Sequence, residues 1–140
     1  PSGIRTNPIG YSRRECTFRA TCGSHTQLIA ASLMGPSDVI LFVSYSGSTH
    51  DMMDTLSVAK KTGAKIILIT HYPDAPGTAL ADVVLLCGAL ETPLDGGSIP
   101  VKVSELFVAE SLIMRYLLDN RELAKIARDK TSVAMVAKFL

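Results

Sequence analysis

The chain has 140 residues, of which 47% are hydrophobic and 19% charged, with a formal net charge of +1. That length implies one domain able to bury roughly 68% of the surface exposed when unfolded, and the near-neutral charge argues against nucleic-acid binding, which usually needs a basic face. Cys16, Cys22 and Cys87 are odd in number and lack metal-ligand spacing, which fits a reduced cytoplasmic protein with no metal or cofactor. No apolar run approaches membrane length and no leader pattern opens the chain, so neither a membrane partner nor secretion is expected.

Residues 1–23 mix Pro, Gly and Arg. They form an atypical N-terminal segment, with one short strand suggested by alternation between Cys16 and Cys22. From Ser24 the pattern sharpens. "SHTQ" has the form of a capping box, with Ser24 as cap and Gln27 reaching back. A helix follows through Leu28, Ile29 and Leu33, and "GPSD" stops it. "DVILFVS" is a continuous apolar run, the mark of a strand covered on both faces.

Met52, Met53, Leu56 and Ala59 recur at helical steps, so His50 to Thr62 is predicted as an amphipathic helix ended by Gly63, with both methionines in the core. "KIILIT" is a second buried strand, "HYPDAPGTALA" a loop with a helical turn, and "DVVLLC" a third strand. The turn-rich "GALETPLDGGS" leads to a long helix from Pro100 to about Asp119, followed by a more polar helix from near Asn120. Alternating strands and helices imply an α/β fold, a three-layer sandwich with a mostly parallel open sheet.

Ligands in such sheets bind where strands end and helices begin. "SYSGST" occupies that place. Gly47 allows close approach of the backbone, and successive amides can form a nest. The helix starting near Thr49 adds a partial positive charge, while Ser44, Ser46, Ser48 and Thr49 supply hydroxyls. Together they suit a phosphate monoester without a lysine, or they serve only to cap the helix. Neither a P-loop nor a dinucleotide fingerprint is present.

"DVILFVSYSGSTHD", "AKKTGAKIILIT" and "ADVVLL" resemble the sugar isomerase (SIS) domain, whose mark is the Ser-x-Ser-Gly-x-Thr loop. "SHTQ" and "GGSIPVKVSELFVAESL" resemble, within that superfamily, the RpiR-type bacterial transcriptional regulators. The resemblance implies a flavodoxin- or Rossmann-like SIS domain over residues 24–140 that senses a phosphorylated sugar. DNA would be met only through a helix-turn-helix domain missing from this chain. The alternative within the superfamily is an aldose–ketose sugar-phosphate isomerase.

The resemblance places Ser44, Ser46, Gly47, Ser48 and Thr49 on the phosphate, Asp51 where relatives often have Glu, and Lys102 at a basic position opening the long helix. His25 either touches ligand from its capping turn or faces solvent. His50 and His71 stand under the same pair of readings, and Glu91, just past the third strand, is a sugar contact or a plain surface residue. No catalytic residue is assigned, since Glu91, His50, His71 and Glu105 are nominal bases that no spacing singles out. Arg121, Lys125 and Arg128 alternate with acids and read as a solvated face. The long helix has more apolar surface than one sheet can cover, Leu106, Phe107, Val108, Leu112 and Ile113 included, which implies a homo-oligomer, dimer or tetramer.

Overall fold

The computed structural model describes residues 20–88 and 99–136. Four helices, α1 (Ser24–Ser32), α2 (His50–Thr62), α3 (Ile99–Asp119) and α4 (Arg121–Val136), accompany three strands, β1 (Val39–Val43), β2 (Lys65–Thr70) and β3 (Val83–Leu86). A 3-10 turn at Pro76–Ala79 links β2 to β3. The sheet is parallel in the order β1-β2-β3, with Val43 opposite Ile69 and Thr70 opposite Leu86. Both the helix of the first crossover and the 3-10 turn of the second contact each other, as two crossovers of one hand require.

The core follows the residue periods. Ile66 and Leu68 of β2 meet Met52, Leu56 and Ala59 of α2 and Ala31 of α1, with Ile40, Phe42 and Met53 packed around them. Full burial of Leu56 or Leu68 is worth about 1.5–3 kcal/mol each. Alternation turns Ile67 and Ile69 to the opposite face. Ile69 is fully buried there, and α3, with Val101 buried, is the second helix that packs on β2. Helices therefore lie on both sides of the sheet. Asp82, just before β3, locks β3 to β2: its amide donates to the Ile66 carbonyl at 2.9 Å, and its Oδ2 accepts from the Ile66 amide at 2.8 Å. Lys60 and Lys65 reach its Oδ1 at 3.4 and 3.3 Å.

Three expectations change. The capping box at Ser24 does not form: Gly23, with φ 93, is the cap residue, and Ser24 is already helical. Thr26 Oγ1 instead donates back to the Cys22 and Gly23 carbonyls. β1 is covered on one face only, since Val39, Leu41 and Val43 stay 57%, 36% and 43% exposed while α3 packs on β2. The suggested strand reaches no further than residue 19, because residues 20–22 are not strand, and its remainder lies outside the described residues. Gly63 does end α2, in the left-handed conformation at φ 83.

Candidate functional site

The loop 44–49 hangs between the end of β1 and the start of α2. Its back is fastened by its own backbone. The Ser44 amide donates to the Ile69 carbonyl at 2.9 Å, and the Tyr45 carbonyl accepts from the His71 amide and from Thr70 Oγ1, each at 3.1 Å. The Gly47 carbonyl accepts from the Gly77 amide at 2.9 Å. Gly47 itself is buried at φ 58, and its amide donates to Ser44 Oγ at 3.2 Å. Ser44 thus braces the loop while keeping its O–H for another partner.

What remains unpaired faces one chemistry. Among the described residues, the hydroxyls and amides of Ser46, Ser48 and Thr49 have no hydrogen-bond partner. Thr49 is the cap residue of α2, yet its side chain makes no capping bond. The first amides of α2 add donors that no helix can satisfy internally, together with the positive end of its dipole. A loop of neutral donors at a helix start, held by carbonyls turned toward β2 and the 3-10 turn, is equipped for an anion. Asp51 lies exposed in the first turn of the same helix.

A second cluster gathers at the ends of β2 and β3. His71 Nδ1 lies 2.9 Å from the Cys87 carbonyl. The Tyr45 ring stacks on His71 at 5.0 Å and 19°, and Tyr72 stands edge-on to both, at 5.5 and 4.8 Å. The Gly88 amide donates to Ser104 Oγ of α3 at 3.0 Å. Burial pushes the Glu105 carboxyl up, with Lys102 pulling it back, and burial together with Glu105 raises the Cys87 thiol.

The predicted residues therefore divide. Ser44, Ser46, Gly47, Ser48, Thr49 and Asp51 lie together on one loop and helix start. Lys102 is exposed beside Glu105, in the second cluster. His25 and His50 are exposed on α1 and α2, with no described contact to another side chain, and Glu91 lies outside the described residues. Tyr45 and Tyr72 were not singled out from sequence. Their signal was a tyrosine two residues past the end of each of two strands. Arg121, Lys125 and Arg128 are exposed, as a solvated face requires. Among the described residues no group of three or more His, Cys, Asp or Glu could hold a metal, and no helix is long and apolar enough to cross a membrane.

A parallel α/β sheet whose first strand runs through a serine-rich loop into a helix defines the class of fold. The SIS domain model matches residues 24–115, and the chain belongs to the SIS family. It is similar to the HTH-type transcriptional regulator RpiR of Escherichia coli K12, 37% identical over 108 residues, which are 77% of this chain and 36% of that protein. It is also similar to the 3-hexulose-6-phosphate isomerase of Mycobacterium gastri, 32% identical over 91 residues, 61% of this chain and 46% of the enzyme. Among solved structures, the Vibrio vulnificus NanR protein complexed with ManNAc-6P shares the fold, with a TM-score of 0.70 at 24% identity over 81% of this chain and 43% of that one. The chain spans less than half the length of each of these relatives.

Proposed function

We propose that this chain is the effector domain of an RpiR-type transcriptional regulator, which binds a sugar phosphate in the cytoplasm and passes its occupancy to a DNA-binding helix-turn-helix domain. The observation that carries this reading is the loop: three hydroxyls and three amides without described partners, at the start of α2. Ser44, Ser46, Gly47, Ser48 and Thr49 hold the phosphate. Lys102, His25 and Glu91 are assigned to the sugar end, and Asp51 to the rim. The partner protein is a second copy of this chain. Leu106 and Phe107 of α3 are 69% and 72% exposed, and Phe107, Met114 and Leu118 line a groove of about 430 Å³. An apolar stripe of that kind is self-complementary under two-fold symmetry.

A second reading, sugar-phosphate isomerase, is favoured by the similarity to an isomerase and by one carboxyl. Glu105 is half-buried, and burial raises its carboxyl above the ordinary value, the direction that suits a general base. One set of samples separates the readings. Hexose and pentose phosphates are expected to raise the melting temperature, their unphosphorylated sugars are not, and light scattering is expected to give at least a dimer mass at tens of micromolar. No aldose–ketose interconversion is expected. Turnover abolished by Glu105→Gln would establish the enzyme instead, and a monomer mass would remove the second copy from α3.

A further inference from the structure

The three rings beside the loop have no role in the phosphate reading. Tyr45 sits between Ser44 and Ser46, so its Cα is about 3.8 Å from those of both donor residues. Its ring stacks on His71, and Tyr72 closes the corner edge-on to both. Rings in contact with one another normally complete a core. These do not, for Tyr72 is 40% exposed and His71 and Tyr45 are half-buried.

The polar atoms of the corner are also set. A carbonyl can only accept, so the contact with the Cys87 carbonyl places a hydrogen on His71 Nδ1. In the neutral ring Nε2 then presents a lone pair. Among the described residues neither Nε2 nor the Tyr72 hydroxyl has a hydrogen-bond partner. Gly88 leaves the ring its room, since a Cβ there would lie 2.6 Å from Nδ1, and Gly88 is itself tied to α3 through Ser104. An aromatic corner with two unpartnered polar atoms, built partly from the serine loop itself, is the pattern of a small-ligand subsite.

The geometry points to Tyr45, His71 and Tyr72 as the wall that holds the carbon body of the ligand. C–H groups of a sugar lie against the ring faces, and a sugar hydroxyl donates to His71 Nε2. The inference rests on the phosphate reading of the loop, which supplies the other end of the same molecule. It assigns the choice among sugar phosphates to the wall, and the phosphate requirement to the serines.

Calorimetry with two kinds of probe tests it: inorganic phosphate, which reaches only the loop, and a panel of hexose 6-phosphates and N-acetylhexosamine 6-phosphates. In wild type at least one sugar phosphate binds at least about tenfold tighter than inorganic phosphate, the equivalent of about 1.4 kcal/mol. Tyr72→Ala removes an exposed ring, and His71→Asn keeps a side-chain N–H near the Cys87 carbonyl while deleting Nε2. Each is expected to weaken the sugar phosphate about fivefold, the size of one ring contact or hydrogen bond, and to leave inorganic phosphate within twofold. Tyr72→Phe, which keeps the ring, retains most of the affinity. Melting curves confirm folding, and if His71→Asn does not fold, Tyr72→Ala decides. The wall is overturned if both probes weaken equally, if neither changes, or if no sugar phosphate outbinds inorganic phosphate. Binding that ignores Ser46→Ala with Thr49→Val overturns the loop reading instead, so the two failures are distinct.

Discussion

Replacing Ser46 by alanine together with Thr49 by valine is expected to weaken sugar-phosphate binding by at least about 100-fold while the domain stays folded. Hydrogen bonds to a charged group contribute about 1.5–3 kcal/mol each, and roughly 1.4 kcal/mol is tenfold. Two lost bonds therefore reach the 100-fold mark even at the low end. The fold is spared for a structural reason. Neither hydroxyl has a described partner, and Thr49 makes no side-chain capping bond to α2, so its loss removes no helix cap. Ligand at about 100 times its dissociation constant stabilises wild type by about 2.7 kcal/mol. For a domain of this length that is a melting shift of roughly 8–13 °C. The double variant should melt near wild type without ligand and lose most of that shift. If the folded variant binds within threefold of wild type by calorimetry, the loop is only the start of a helix.

Gly47→Ala is expected to be the most damaging small substitution in the loop. Its φ of 58 lies where an L side chain meets its own backbone, at roughly 1–2 kcal/mol. The added Cβ would also stand 2.6 Å from Ala75 Cβ and 2.9 Å from Thr70 Oγ1. The Ala75 atom cannot rotate away, and forced overpacking costs about 1–3 kcal/mol more. A loss of about 2–5 kcal/mol lowers the melting temperature by roughly 6–25 °C. Gly63→Ala supplies the contrast. It carries a similar φ, 83, but meets only Pro36 Cγ at 3.2 Å, so it should lose little beyond the φ cost. Ala75→Gly in the Gly47→Ala background opens the tightest contact and should recover part of the loss. Equal melting temperatures for the Gly47 and Gly63 variants, or no recovery in the pair, would remove Ala75 from the account.

The repeating elements were legible because their periods are strong. His50–Thr62 was read to the residue, since its apolar positions recur at helical steps and Gly63 stops it. The three strands were legible as apolar runs, but a run does not say whether one face or two are covered. At β1 the answer depends on how far α3 extends across the sheet, a tertiary fact. The cap of α1 failed because two residue types suited the same place. Gly23 took the positive φ that only glycine adopts freely, which moved Ser24 into the helix. The serine loop was legible because its chemistry is consecutive in sequence. The aromatic corner was not, because Tyr45 meets His71 and Tyr72 only through the pairing of β1 with β2. Glu105 stood among four nominal bases until the fold set it near Cys87.

The Asp82 lock makes the domain sensitive to acid at one seam. The Ile66 amide, donating to this carboxylate, holds its pKa below the ordinary value against partial desolvation, with Lys65 and Lys60 assisting. A carboxyl held low in the folded state stabilises fully above its unfolded pKa of about 3.9, and that stabilisation is lost as pH falls through the lower folded value. Glu105 acts with the opposite sign, since its raised carboxyl sheds a cost when protonated. Asp82→Asn isolates the seam: its melting temperature should fall short of wild type at pH 6, and the gap should narrow as pH falls below the ordinary carboxyl pKa of about 3.9. A gap constant across that range would mean the carboxylate's charge plays no part there. Where the gap closes, the clasp between Ile66 of β2 and the residue that precedes β3 has lost its charge, so acid reaches the sheet as a loosening between two neighbouring strands.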